Sequence, residues 1–389
     1  MTTRREILAS ALSMAGAATF GMKPAWASAG TIKVGIIAEV TGPFAEFGYQ
    51  FLTAIRAYMR RHGDTVAGKA VQIIVRDVGG PNPDVAKRLA QELVVREGVD
   101  FLAGFGFSPN ASAAASVATK AKVPMIVMNA QALGIPAQSP YIVRTSTNAT
   151  ESAIALGHWL ADQGISNVST LVMDYSPGHD AEKGFSEAFT HKGGTIRESI
   201  RVPLGSVEFA PYLQRVKDSK PEALFAFTNG GSSGVAFLRA VRDRGLAESG
   251  IKVYGTGDTT FEPILDAAGD AALGIITAYP YSPAHQSVQN EQFVEDFFAE
   301  GDGKQFPSIF AVSAHDGMAA IYEVIRRLDG DIDGDKAMEV LKGLRLDSPR
   351  GPFEIDSVTR DARQLIYMRK TELRDGRVMN IEFDQLGSH

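Results

Sequence analysis

From Thr31 onward the chain repeats one unit, a short apolar run followed by an amphipathic stretch of helical period, and this alternation constrains the fold more than any other feature. Ile32 to Val40, Val71 to Asp77, Phe101 to Gly104 and Pro124 to Met128 read as strands. Between them, Tyr49 to His62, Pro83 to Glu97 and Asn110 to Lys120 read as helices. Strand, helix and strand in succession build a parallel sheet covered on both faces, so these elements predict one doubly wound α/β lobe.

After the extended stretch Tyr141 to Thr145 the pattern begins again. Helices are expected over Glu151 to Gln163, Asp180 to His191, Phe209 to Asp218 and Gly234 to Arg244, with a short one near Pro263. Strands are expected over Val168 to Met173, Thr195 to Val202, Ala223 to Phe227 and Lys252 to Gly255. Gly274 to Tyr279 then leads into helical patterns from Asn290 to Glu300 and from Phe310 to Leu328, so the chain is expected to return to its first lobe. A length of 389 residues agrees with two lobes, because one core rarely organises so many.

Charge and composition remove several function classes. A formal net charge of −6 offers no broad attraction to phosphate backbones, so nucleic acid is not an expected partner. The chain has no cysteine, which excludes disulfides and thiolate metal sites. Its seven histidines are scattered without ligand spacing, and no metal or cofactor is expected. At the N-terminus, Arg4-Arg5 precede a weakly apolar stretch from Ala9 to Met22 and an A-x-A site at Ala25-Trp26-Ala27. This resembles a twin-arginine export signal over residues 1–27, removed after Ala27 or Ala29. The stretch is shorter than the ~20 residues a spanning helix needs.

Three segments carry a family resemblance: Thr41-Gly42-Pro43-Phe44-Ala45-Glu46-Phe47-Gly48, Tyr175-Ser176-Pro177-Gly178, and Ser348-Pro349-Arg350-Gly351-Pro352-Phe353-Glu354-Ile355-Asp356. In order and spacing they resemble the leucine/isoleucine/valine-binding proteins, the type I periplasmic binding fold. The resemblance implies two doubly wound parallel-sheet lobes joined by three crossovers, near Arg144-Thr145, Ala278-Tyr279 and Arg363-Gln364. The first lobe would comprise residues 31–144 and 279–363, and the second 145–278 and 364–389. It further implies a monomeric periplasmic solute-binding protein of an ABC importer, with no enzymatic activity, that captures a small carboxylate by hinge closure and then meets the importer's membrane subunits.

Ligands of open parallel sheets lie beyond the carboxyl ends of the strands, where helix N-termini point free N–H groups. Ser108, before Pro109, reads as a helix N-cap there; it either caps its helix or, as the resemblance implies, binds the ligand carboxylate. Asn129, Ala130 and Gln131 end the next strand, with Ala130 implied to act through its backbone and the polar pair equally readable as turn residues. The resemblance assigns Tyr175 as a ring covering the ligand from the second lobe, Asp258 as the acidic partner of an ammonium, and Phe47 and Phe310 as the side-chain pocket. Phe44, Phe107, Tyr279 and Tyr281 could extend the aromatic wall. Asn229 and Ser232 complete the set, in the loop after strand Ala223 to Phe227. The ligand is expected to be a hydrophobic or branched-chain amino acid or an aromatic carboxylate.

One enzymatic pattern competes. Gly230-Gly231-Ser232-Ser233-Gly234 satisfies G-x-S-x-G between a strand and a helix, and Asp258 and His285 or His315 follow in the chain order of a hydrolase triad. The alternative function is therefore an exported serine hydrolase using Ser232. The bland reading is a helix N-terminus at the cleft.

Overall fold

A computed structural model describes residues 30–387. The export-signal expectation at Arg4, Arg5 and Ala27 lies outside them. The chain builds two lobes, each a sheet flanked by helices. In the first, strands β1 (Thr31–Ala38), β2 (Thr65–Val66), β3 (Lys69–Asp77), β4 (Phe101–Gly104), β5 (Met125–Val127) and β6 (Ile142–Arg144) form a six-stranded sheet in the order β2-β3-β1-β4-β5-β6. Helices α1 (Ala45–His62), α2 (Pro83–Glu92) and α3 (Ser108–Ala121) connect them. All pairings but that of β2 are parallel.

The chain then crosses to the second lobe and adds α4 (Ala149–Asp162), β7 (Asn167–Met173), α5 (Ser176–His191), β8 (Thr195–Val202), α6 (Ala210–Ser219), β9 (Ala223–Phe227), α7 (Gly231–Asp243), β10 (Lys252–Thr256), α8 (Glu262–Ala268) and β11 (Ile276–Tyr279). It crosses back into α9 (Val288–Glu300) and α10 (Ile309–Arg327), which pack on α1 of the first lobe. There follow α11 (Gly334–Leu341) and a three-stranded sheet of β12 (Arg345–Ser348), β13 (Gly351–Ile355) and β14 (Ala362–Gln364). Finally β15 (Ile366–Arg374) and β16 (Arg377–Leu386) complete a seven-stranded sheet in the order β16-β15-β11-β10-β9-β7-β8.

The parallel strands carry near-continuous apolar runs because both faces are covered: Phe101–Gly104 and Ala223–Phe227 are buried throughout. Two expectations need correction. The second sheet is mixed, since β15 joins β11 antiparallel and β16 joins β15 antiparallel. The helix expected over Pro83 to Glu97 is α-helical only to Glu92, its last turn widening into a π-helical segment over Leu93–Glu97.

Two passages of the chain between the lobes meet at a buried cation. Arg350, fully buried, donates from Nη2 to Asp316 Oδ2 (2.6 Å) and to the Thr145 carbonyl (2.9 Å), and from Nη1 to Gln364 Oε1 (2.7 Å). Gln364 in turn donates to the Ser146 carbonyl (2.9 Å), and the Tyr367 hydroxyl donates to the Arg350 carbonyl (2.9 Å). Burial would raise the Asp316 carboxyl, but the Arg350 guanidinium holds it below the usual carboxylate range. A buried pair whose partner is removed leaves an uncompensated charge, so Arg350→Met should lower stability by about 3–5 kcal/mol in urea unfolding. Adding Asp316→Leu should recover part of that loss. An equal loss in single and double variants would refute the coupling.

Candidate functional site

The carboxyl ends of β4, β5, β7, β9 and β10 converge on a cavity between the lobes. It is lined by Phe47, Gly106, Phe107, Ser108, Asn129, Gln131 and Phe310 from the first lobe and by Tyr175, Pro177, Asn229, Gly230, Asp258 and Phe261 from the second. Its free volume is only about 10 Å³, the room of a single water.

The apolar wall is a cluster of phenylalanines. Phe47, in the first turn of α1, lies 4.4 Å from Phe310, in the first turn of α10, between ring centroids. Phe107 is 5.5 Å from Phe47 on another side, and Phe261 reaches across from the second lobe to within 5.6 Å of Phe47 and 5.0 Å of Phe310. Phe44 packs behind, 4.8 Å from Phe107. Such edge-to-face and tilted contacts present flat apolar surface to an enclosed ligand. Glycine at 230 is a steric requirement, because a Cβ there would stand 2.6 Å from the Phe261 ring.

Opposite lies a polar network that bridges the lobes. Gln131 Nε2 donates to Asp258 Oδ1 (2.7 Å) and to the Tyr279 hydroxyl (3.2 Å); Tyr279 donates to the same carboxylate oxygen (3.0 Å) and Thr256 to the other (3.1 Å). Burial raises the Asp258 carboxyl above its ordinary value, and the bonds from Gln131, Tyr279 and Thr256 work against that rise. Asn229 Nδ2 donates to the Tyr175 hydroxyl (2.8 Å), whose proton burial holds well above the usual phenol range. Tyr175 thus remains a neutral donor. Two buried acceptors in the lining have no partner, Gln131 Oε1 and Asn229 Oδ1.

Ser108 is the first residue of α3 and not its N-cap; Phe107 takes that position and caps with no side chain. The Ser108 hydroxyl instead accepts from the Ala132 N–H (3.0 Å) and keeps its own proton to donate. Asn129 holds the loop after β4 by donating to the Gly106 carbonyl (2.7 Å). Beneath that loop Glu39 is fully buried, accepting from Asn110 Nδ2 (3.1 Å) and packed so closely on Gly106 that any Cβ there would collide with it.

Two of the ten residues marked from sequence are not in the cavity. Ala130 is committed elsewhere: its N–H donates to Phe105 (3.0 Å) and its carbonyl accepts from Arg144 (2.9 Å). Ser232 is exposed in the first turn of α7, where the lining stops at Gly230. The hydrolase alternative also lacks a relay, since His285 pairs with Glu382, His315 with Asp316, and Asp258 with Gln131, Tyr279 and Thr256. Of the further aromatic candidates, Phe107 lines the cavity, Tyr279 backs it through Asp258, and Tyr281 turns away to Asn290. Phe261 and Gly106 were not singled out from sequence. Phe261 could have been, as an aromatic directly after the polar turn Gly257–Thr260.

Among the described residues, no helix is long and apolar enough to cross a membrane and no group of three or more His, Asp or Glu side chains could hold a metal.

Comparison with known proteins agrees with the two-lobed fold. The family model described as periplasmic binding protein matches residues 31–377. A Leu/Ile/Val-binding protein homolog 6 of Brucella melitensis is 41% identical over 364 residues, 94% of this chain and 93% of the relative. A solute-binding protein of an ABC transporter from Rhodopseudomonas palustris BisB5, solved with 3,4-dihydroxybenzoic acid, superposes with a TM-score of 0.88 at 47% identity, covering 92% of this chain and 98% of that one. A second R. palustris solute-binding protein, solved with 4-hydroxybenzoate, gives 0.89 at 39%, covering 92% and 97%.

The buried Glu39 generates a test. Burial raises its pKa from 4.5 to about 8, against the opposing hydrogen bonds of its own backbone, Asn110 and Gly106. A carboxyl raised on folding contributes stability that is complete below the unfolded value and lost as pH climbs through the folded one. Between pH 4.5 and 8 the protein should therefore lose at most about 5 kcal/mol from this group. Glu39→Gln should flatten that slope in denaturant titrations; an unchanged slope would assign it to other groups.

Proposed function

We propose that this chain, which belongs to the periplasmic binding protein family and is a solute-binding protein of an ABC transporter, captures a hydroxylated aromatic carboxylate between its lobes. The observation that carries this reading is the pair of unpartnered buried acceptors, Gln131 Oε1 and Asn229 Oδ1, beside a cavity walled by phenylalanines. Orphaned buried acceptors are costly until a donor reaches them. A ring hydroxyl supplies that donor without bringing a charge. The ring itself would lie against Phe47, Phe310 and Phe261, and its carboxylate at the start of α3, where the Ser108 hydroxyl can donate. Tyr175 would close over it as a neutral donor.

Asp258 could in principle receive an ammonium, as the amino-acid ligands of the family require. Its oxygens already accept three neutral hydrogen bonds, and burial disfavours its charged form. Solved relatives hold 3,4-dihydroxybenzoic acid and 4-hydroxybenzoate, and a lower-identity relative at 26% holds benzoate. These support the aromatic ligand over the branched-chain amino acid.

The reading includes a division into lobes at 31–144 with 279–363 and 145–278 with 364–389, hinge closure on the ligand, and recognition of the closed monomer by the importer's membrane subunits. It also includes folded export into the periplasm under the twin-arginine signal, without catalysis.

A thermal-shift titration tests the ligand, because binding only the folded state stabilises it by mass action, about 2.7 kcal/mol at a hundredfold excess over Kd. 4-Hydroxybenzoate and 3,4-dihydroxybenzoate should stabilise more than benzoate, and benzoate more than leucine. Ser108→Ala should weaken the best ligand roughly 10- to 100-fold, the effect of one hydrogen bond to a charged group. Ser232→Ala should leave affinity unchanged. Leucine as the strongest stabiliser would overturn the ligand assignment, and loss of an esterase activity in Ser232→Ala would overturn the binding reading. Peptide mass mapping of the periplasmic protein should find its first residue near Ser28.

A further inference from the structure

Among the contacts between the lobes outside the cavity are two in which a carboxylate of one faces the backbone of the other. Asp180, half-buried on α5 of the second lobe, accepts from the N–H of Leu133, in the first-lobe loop after β5, at 2.8 Å. Glu46, in the first turn of α1, lies against Gly231 at the N-terminus of α7: a Cβ on Gly231 would stand 2.8 Å from the Pro43 carbonyl and 3.1 Å from Glu46 Oε1. The two contacts differ. Asp180 completes its hydrogen bond, whereas Glu46 Oε1 is buried without one. Neither residue lines the cavity.

We infer that Asp180 and Glu46 are positioning residues that set the balance between open and closed lobes, Asp180 favouring closure and Glu46 opposing it, independently of the ligand's chemistry. With the lobes apart, both carboxylates face water. Closing exchanges water for the Leu133 N–H at Asp180, a charge-assisted bond of good length. At Glu46 closing removes water and returns only the nearby Gly231 amide, short of hydrogen-bond geometry. Burial accordingly pushes the Glu46 carboxyl upward, with its own backbone and the Gly231 N–H only partly compensating. The second glycine of the G-x-S-x-G motif thereby gains a role: residue 231 lacks a side chain where Pro43 and Glu46 of the other lobe seat on it.

This inference rests on the reading of the chain as a protein that closes on its ligand. When only the closed form binds tightly, the apparent Kd scales inversely with the fraction closed. Asp180→Ala should therefore weaken 4-hydroxybenzoate and benzoate by the same factor, about tenfold. Glu46→Gln should tighten both by a common factor, roughly severalfold. Both residues are partly exposed, and unchanged melting temperatures of the ligand-free variants check that the fold is intact. Because the chain has no cysteine, a pair introduced at the exposed Val95 and Leu373, one in each lobe, can carry spin labels for distance measurement without ligand. Asp180→Ala should shift that distribution toward the open form and Glu46→Gln toward the closed one. Factors that differ between the two ligands, weaker binding in Glu46→Gln, or unshifted distances would overturn the inference. If wild type binds none of the aromatic acids, the ligand assignment fails, and the distance measurement still decides the roles of Asp180 and Glu46.

Discussion

Arg350 carries a charge into a place without water, and the way its guanidinium is met organises the junction between the lobes. Moving a cation out of water costs several kcal/mol even after relaxation, so each acceptor around it is held in place by the need for it. Those acceptors come from different passages of the chain: Thr145 where it first leaves the first lobe, Gln364 where it leaves for the last time, and Asp316 on α10. The Phe353 ring covers the guanidinium at 5.0 Å. The junction is fastened at its centre, and the cavity lies beyond it at the strand ends.

A second buried arginine plays a similar part within the second lobe. Arg369 on β15 pairs with Glu262 (2.9 Å), donates to the Tyr281 and Gly257 carbonyls, and lies 5.0 Å from the Tyr279 ring. It therefore fixes the turn Gly257–Thr260 and the tyrosine that bonds Asp258. The polar wall of the site is rigid because a charge behind it is fully engaged. The apolar wall gains its rigidity from interlocked rings. A ligand meets two surfaces prepared by different physics.

The parallel units were legible from sequence because the buried strands are short apolar runs and several of the following helices open with a cap or an early proline. The Asn148 side chain accepting from Glu151 N and the Asn82 side chain accepting from Val85 N are such signals. The strands from Arg345 onward were not, since Ile366–Arg374 and Arg377–Leu386 alternate charged and apolar residues in a hairpin whose pairing no local feature announces. The cavity lining was legible wherever position beyond a strand decides placement, as for Ser108, Tyr175, Asn229 and Asp258. It was not where tertiary partners decide. Ala130 loses its carbonyl to Arg144, 14 positions on, and Ser232 is exposed two residues past Gly230, where the lining stops. The segment Ser348 to Asp356 signalled the family, but the junction role of Arg350 depends on Asp316, 34 residues earlier.

The return of the chain to its first lobe has a kinetic consequence. Helix α1 is sealed by α9 and α10, with Gln50 accepting from the Ser308 N–H across 258 positions and Tyr322 donating to the Gly63 carbonyl across 259. During synthesis the first lobe must wait, its apolar α1 face uncovered, until the ribosome has passed Arg327. Contacts of such sequence separation slow folding and prolong the exposure of sticky surface. The first lobe is thus finished late, its earliest helix covered by one of the last that the chain forms.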